Sequence, residues 1–297
     1  MKPITRLIAC FALLAIAAPA FAQDDTNDSK RLKLAALEAL ISAPPERALP
    51  LAEKALKGDH SDEVKERALF VLSQIDQPEA QNLLLDTARQ GDGELRHEAI
   101  RMIGIGGDEA ALAELGTLYS GGDEDFRDAV LEAYLIAGDK QAVYTIAADS
   151  NGEDEAAVEM LAAMGATEEL RQLRETFGMS ESLIEAAIIS DDASMLRDVA
   201  FDSSDIELQK QAIEALGVIG GSDVNATLVE IYRGTDSEDV RHAALEGMLI
   251  SGHDEGVLEL YRAADNDAEK KELLEFLVMM GSDEVWDLID SAFDGGL

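Results

Sequence analysis

One pattern of about thirty residues returns along most of the chain, and it leaves few folds open. Its best copy is residues 237–267. A polar start, Ser237-Glu238-Asp239, leads into Val240-Arg241-His242-Ala243-Ala244-Leu245, whose apolar residues fall at helical spacing. Gly252 breaks the run, and Val257-Leu258-Glu259-Leu260-Tyr261 begins a second one. Aligned on the first apolar residue, the copies start at Leu32, Val64, Leu95, Phe126, Leu208 and Val240. A small or aliphatic pair follows each: Ala35-Ala36, Ala68-Leu69, Ala99-Ile100, Ala129-Val130, Ala212-Ile213 and Ala243-Ala244. Small side chains let helix axes approach. Gly107, Gly138, Gly220 and Gly252 stand at the helix ends, where a left-handed residue without a Cβ is favoured. Asp108, Ser282 and a Ser204–Glu207 capping box are the expected helix starts.

The period is that of a helical hairpin. Apolar residues recur at three and four, with no sustained alternation. One hairpin cannot bury its apolar face alone, so neighbours must stack. The expected architecture is all-α: an α-solenoid of about nine stacked hairpins over residues 30–297. Between Phe126 and Leu208 the pattern degrades. Two short units, roughly 153–180 and 181–205, keep a helical stripe through Val158, Leu161 and Met164, then Leu183, Ala187 and Ile188, but lose the anchor. A last unit from Glu269 ends in Trp286, Leu288, Ile289 and Phe293. Pro44-Pro45 separates the two helices of the first unit.

The N-terminus reads differently. Lys2 and Arg6 precede an apolar run, Leu7–Ala18, too short to span a bilayer, and Ala20-Phe21-Ala22 has the form of a cleavage site. Residues 1–22 are therefore expected to be a cleavable signal peptide, cut after Ala22, of a periplasmic or secreted protein. Leu7-Ile8-Ala9-Cys10 competes as a lipoprotein box, but the apolar run lies after Cys10 rather than before it. The cleaved chain would then hold no cysteine. Residues 23–29 are expected to be a flexible acidic leader, because they show no apolar period.

Charge narrows the partners. The net charge is −37. Residues 23–101 carry 16 acidic and 11 basic side chains, whereas residues 102–297 carry 45 and 11. Such a field repels nucleic acid and anionic membrane surfaces and favours a cationic partner. The same charge also keeps an exposed solenoid soluble and monomeric, or suits it to a salty exterior.

Glu238-Asp239-Val240-Arg241-His242-Ala243-Ala244-Leu245 and Ala212-Ile213-Glu214-Ala215-Leu216-Gly217-Val218-Ile219-Gly220 resemble the short HEAT-like repeats named after phycobilisome lyases. Pro45-Glu46-Arg47-Ala48-Leu49-Pro50-Leu51 resembles that family's second helix. The resemblance implies a HEAT-type solenoid and, mostly, a binding scaffold. Related HEAT-repeat hydroxylases bind iron through several His-Glu dipeptides. Here only His97-Glu98 has that form, so that activity is not implied.

No catalytic set, cofactor motif or metal-ligand spacing is found. His97 and His242 share one repeat position and read as solvated. The acidic loops 121–125 and 149–154 could associate weakly with Ca²⁺, but the second has its glycine at the wrong offset for an EF-hand. The expected function is a non-enzymatic exported adaptor for another exported or membrane-attached protein with a basic segment. The candidate partner contacts are Glu230, Tyr232, Arg233, Glu259, Tyr261, Arg262 and Asp287, on or near the second helices. The competing reading of these tyrosines is packing between units. The competing function is an enzyme or a ligand- or metal-binding protein, with a pocket at residues 153–205.

Overall fold

The computed structural model describes residues 21–293, apart from 92 and 202. Among the described residues there are eighteen α-helices and no strand, paired as the nine hairpins the repeat predicts. The fold is an all-α solenoid of HEAT type. The expected signal peptide up to Ala20, and Cys10 with it, lies outside the described residues. The chain divides into two compact units at Met102/Ile103.

Unit 1 holds α1 (Phe21–Leu40), α2 (Pro45–Lys57), α3 (Asp62–Ser73) and α4 (Pro78–Gln90). α1 packs on α2 and α3, and α3 on α4. α2 begins at Pro45, where a missing N–H costs nothing. α1 differs from expectation twice. It runs through residues 23–29, the expected leader, and residues 27–29 are exposed polar side chains that a helix carries without packing. It also turns another face inward. Leu32 is 72% exposed and Ala35-Ala36 are exposed, while Leu37 is buried. The contacts to α2 and α3 select the stripe Leu34–Leu37–Leu40, three apart, over the one aligned by anchor.

α5 (Gly93–Gly106) crosses the boundary, and unit 2 continues with α6 (Glu109–Tyr119), α7 (Glu124–Ala137), α8 (Lys140–Asp149), α9 (Glu155–Ala163) and α10 (Thr167–Phe177). α11 (Glu181–Ile189), α12 (Ala193–Phe201), α13 (Ile206–Ile219) and α14 (Ser222–Gly234) follow. α15 (Glu238–Ser251), α16 (Asp254–Ala263), α17 (Asp267–Met280) and α18 (Glu284–Phe293) complete it. The first helices α7, α9, α11, α13, α15 and α17 pack side by side in that order. Their anchors form the core: Phe126, Val130, Ala212, Ile213, Val240, Ala243 and Ala244 are all buried.

Caps set the boundaries. Asp108, Asp123, Asp139, Asp154, Ser180, Ser237 and Asn266 each accept a backbone N–H three residues on. The acidic loops 121–125 and 149–154 thus supply caps at Asp123 and Asp154. α13 is capped by Asp205, which accepts from Glu207 N and Leu208 N, and not by Ser204. Its first helical residue is Ile206, one place later than the capping box required. Ser282 donates to Glu284 Oε2, 3.1 Å away, at the start of α18. Gly138, Gly252 and Gly281 hold φ near +70° and close Schellman-type ends.

The irregular stretch is real and has its own packing. α9, α11 and α12 have nine residues each, against fourteen in α7, α13, α15 and α17. Arginines tie the second helices together there. Arg171 reaches Asp192 (2.8 Å) and Ser194 (3.1 Å), and Arg174 reaches Met195 O and Asp198. Arg197 reaches buried Thr227 at 2.6 Å. The short helices bury less apolar surface, and side-chain bonds replace part of it. Arg171→Ala is expected to cost about 2 kcal/mol in a urea melt, because it deprives buried Asp192 of its cation. Lys57→Ala, at the exposed pair with Glu53 in unit 1, should cost no more than about 0.5 kcal/mol.

Candidate acidic clefts

Two clefts in unit 2 are built to one plan. In the first, Tyr119 ends α6, Arg127 is the fourth residue of α7, and Asp154 caps α9. The Tyr119 hydroxyl donates to Asp154 Oδ1 at 3.2 Å. In the second, Tyr232 lies in the last turn of α14, Arg241 is the fourth residue of α15, and Glu269 lies in the first turn of α17. The Tyr232 hydroxyl donates to Glu269 Oε1, also at 3.2 Å. Each cleft therefore spans a second helix, the next first helix and the first helix after that.

Carboxylates dominate both. The first has a volume of about 480 Å³ and is lined by Glu124, Asp128, Glu153, Asp154, Glu155 and Glu159 around Arg127. The second, about 630 Å³, is lined by Glu238, Asp239, Glu269 and Glu272 with Arg241 and His242. His242 is held by Glu272 (3.3 Å), by Glu246 (3.5 Å) and by the edge of Phe276, with ring centres 5.5 Å apart. Arg241 also donates to Thr235 O at 3.1 Å, closing the loop after α14. Gln209 does the same for α12, reaching Ala200 O and Phe201 O. The repeat motif's arginine position thus holds together consecutive hairpins.

Both phenols are kept protonated. Burial, and then the adjacent carboxylate, raises the pKa of Tyr119 and of Tyr232 well above the ordinary value. Each remains a donor through neutral and mildly alkaline pH. What the clefts offer chemically is a solvent-open, electronegative hollow with one guanidinium, suited to the cationic end of a lysine or arginine side chain. Among the described residues no group of three or more His, Cys, Asp or Glu side chains converges to hold a metal ion. No helix among them is long and apolar enough to cross a membrane.

The expected contact residues separate in the structure. Glu230, Arg262 and Asp287 are exposed. Arg233 and Glu259 are exposed but already joined to each other at 2.8 Å, linking α14 to α16. Tyr232 and Tyr261 are buried, at 4% and 5% exposure, so they give a partner almost no contact area, although Tyr232 borders the second cleft. Their rings pack between helices, which was the competing reading. The residues that sequence reasoning passed over are Tyr119 with Asp154 and Arg127. The partner of Tyr119 lies 35 residues away in another repeat, so no local motif joins the two.

The family model described as HEAT repeats matches residues 17–101, 50–135 and 193–280. No curated protein sequence matches the chain. Among solved structures, human deoxyhypusine hydroxylase in complex with glycerol is similar at 18% identity over 89% of this chain and 91% of that one, with a TM-score of 0.32. The complex of CpcE and CpcF of phycocyanin lyase from Nostoc sp. PCC7120 is similar at 18% identity over 80% and 95%, with a TM-score of 0.33. Neither likeness carries an activity to this chain.

Proposed function

The chain belongs to the HEAT-repeat family, and from that premise we propose that it is a non-enzymatic scaffold, exported by an N-terminal signal cleaved after Ala22. Its partner is another exported or membrane-attached protein that presents a basic segment. The observation that carries this reading is the paired construction of the clefts, in which one arginine stands among four to six carboxylates on each of two separated sets of repeats. A repeated electronegative hollow suits a repeated cationic ligand. The wider charge agrees, since residues 102–297 carry 45 acidic side chains against 11 basic ones. HEAT architecture itself names no chemistry.

The full chain, immobilised and exposed to envelope extract of the cell that makes it, is expected to retain a partner at low salt. It should release that partner by about 0.5 M salt, where screening shortens to a few ångströms. Retention of no salt-sensitive partner, or recovery of the chain from the cytosolic fraction, overturns the proposal. Retention unchanged by Glu230→Gln, Glu259→Gln and Asp287→Asn together would remove the second-helix residues from the contact surface.

A second reading has one observation in its favour. The first cleft borders the irregular stretch, through Glu153, Asp154 and Glu155, where a ligand pocket was expected. Stoichiometric metal or a small molecule in the purified chain would support that reading. A clean mass spectrum and metal analysis would count against it.

A further inference from the structure

Most of the aliphatic side chains left open on the first helices α7 to α17 gather towards one end of their helices, with Ile206 at the start of α13 the exception. Ile136 on α7, Ile189 on α11, Val218 on α13, Ile250 on α15 and Met279 on α17 are 41–59% exposed and sit at or next to the C-terminal end of their helices. α9 places exposed Ala163 at the same point. In all six helices the residue four places earlier is a glutamate: Glu132, Glu159, Glu185, Glu214, Glu246 and Glu275. Residues four apart share a helix face. Five of the six glutamates are exposed and Glu246 is partly so. Single exposed aliphatics need no explanation. Six at one register, each one turn beyond a carboxylate, make a ridge with an apolar lane and an acidic lane.

The helices that carry the ridge pack consecutively. Packed axes lie about 8–10 Å apart, so the two lanes extend roughly 40–50 Å. The charge is graded along them. One turn before the glutamates stand Asp128, Glu155 and Glu181 on α7, α9 and α11, but Lys210, His242 and Lys271 on α13, α15 and α17. Glu246 is paired with His242 and Glu275 with Lys271, 3.5 and 3.7 Å apart. The acidic lane is therefore strongest at its α7–α11 end.

Resting on the scaffold reading, we infer that this ridge docks a basic amphipathic helix of the partner, laid across the first helices. Its apolar side covers the aliphatic lane, and its lysines or arginines meet the glutamates. The spacing fits a helix. A rise of 1.5 Å per residue makes 8–10 Å about five to seven residues, so an apolar residue at every seventh position matches the wide end of that spacing and keeps one face of the helix on the rungs. Charge selects this occupant over two others. A second copy would set like charge on like, and an anionic membrane surface is repelled.

The test uses the full chain and a fluorescent helical peptide of about 30 residues. The peptide carries leucine at every seventh position and lysine one turn away. A scrambled peptide of the same composition serves as control, and binding is read by anisotropy. The ordered peptide is expected to bind at least about tenfold tighter than the scrambled one. Val218→Gln with Ile250→Gln should remove about that factor without lowering the melting temperature. Glu132→Gln, Glu159→Gln and Glu185→Gln together should weaken binding and flatten its salt dependence.

Equal affinity for both peptides overturns the inference, as does full affinity in the Val218/Ile250 variant. Ile250-dependent flotation of the chain on phosphatidylcholine vesicles, or Ile250-dependent dimers in sedimentation, also overturns it and assigns the ridge to lipid or to self-association. If the Val218/Ile250 variant still retains the salt-sensitive envelope partner, the ridge fails while the scaffold reading stands. If the unsubstituted chain retains none, the scaffold reading itself fails.

Discussion

Gly217→Val is expected to destabilise unit 2 by about 3 kcal/mol, seen as a melting temperature lower by about 6–12 °C in circular dichroism at 222 nm. A Cβ built on Gly217 would lie 2.6 Å from Gly247 O and 2.7 Å from Gly247 Cα. Both targets are backbone, so no side chain can swing away. α13 and α15 would have to separate along their contact, which would loosen the neighbouring core residues Ile213 and Ala244. The same crossing occurs once more. Gly104, like Gly217 the twelfth residue of its helix, meets Ala133, like Gly247 the tenth residue of the next first helix, at 2.7 Å. Alanine sharpens the test. In an open helix interior Gly→Ala gains about 1 kcal/mol. Gly217→Ala should lose stability despite that gain, whereas Gly234→Ala, with nothing within 4 Å of its Cβ, should not. A stable Gly217→Ala would mean that the two helices do not approach this closely.

The glycine of that crossing was present in the quoted motif Leu216-Gly217-Val218-Ile219-Gly220, and the helix-ending glycines were readable from spacing alone. These features are local, and a thirty-residue period repeats them. What the sequence hid depends on contacts between repeats. Arg171, Arg174 and Arg197 reach residues 21–30 positions away, in a stretch where no anchor fixes the alignment. Tyr232 and Tyr261 have the composition of a binding surface, and only packing shows that they are buried. Leu32 failed for the opposite reason, since a good anchor letter on α1 is turned away from α2 and α3. The ridge of Ile136, Val218 and Ile250 was equally opaque. An aliphatic at helical spacing reads as core, and exposure is decided by whether a neighbouring helix covers it. For the clefts, the acid was legible and its arrangement was not, because each joins three helices of three different hairpins.

Tyr134→Ala should cost about 4 kcal/mol, the range for emptying a buried aromatic site, and Tyr134→Phe about 1 kcal/mol, for the lost hydrogen bond. Tyr134 is 2% exposed in α7, and its hydroxyl donates to Leu112 O on α6 at 2.8 Å. Gly116 leaves room for it, since a Cβ there would lie 2.6 Å from the hydroxyl. Burial first, and the negative charge of Asp139 second, push the phenol up to about 12 from an ordinary 10.0. The folded chain thus holds this proton more tightly than the unfolded chain does. The resulting stability is fully present below pH 10 and is lost as pH rises towards 12. The native chain should therefore lose stability above about pH 10, with buried Tyr119 and Tyr232 adding to the same trend. Tyr134→Phe lacks one of the three phenols, so its deficit against the native chain should shrink as pH rises from about 8 to about 11 in urea melts. A deficit that stays constant over that window would show that the Tyr134 phenol titrates at its ordinary value, and that it is not shut between α6 and α7.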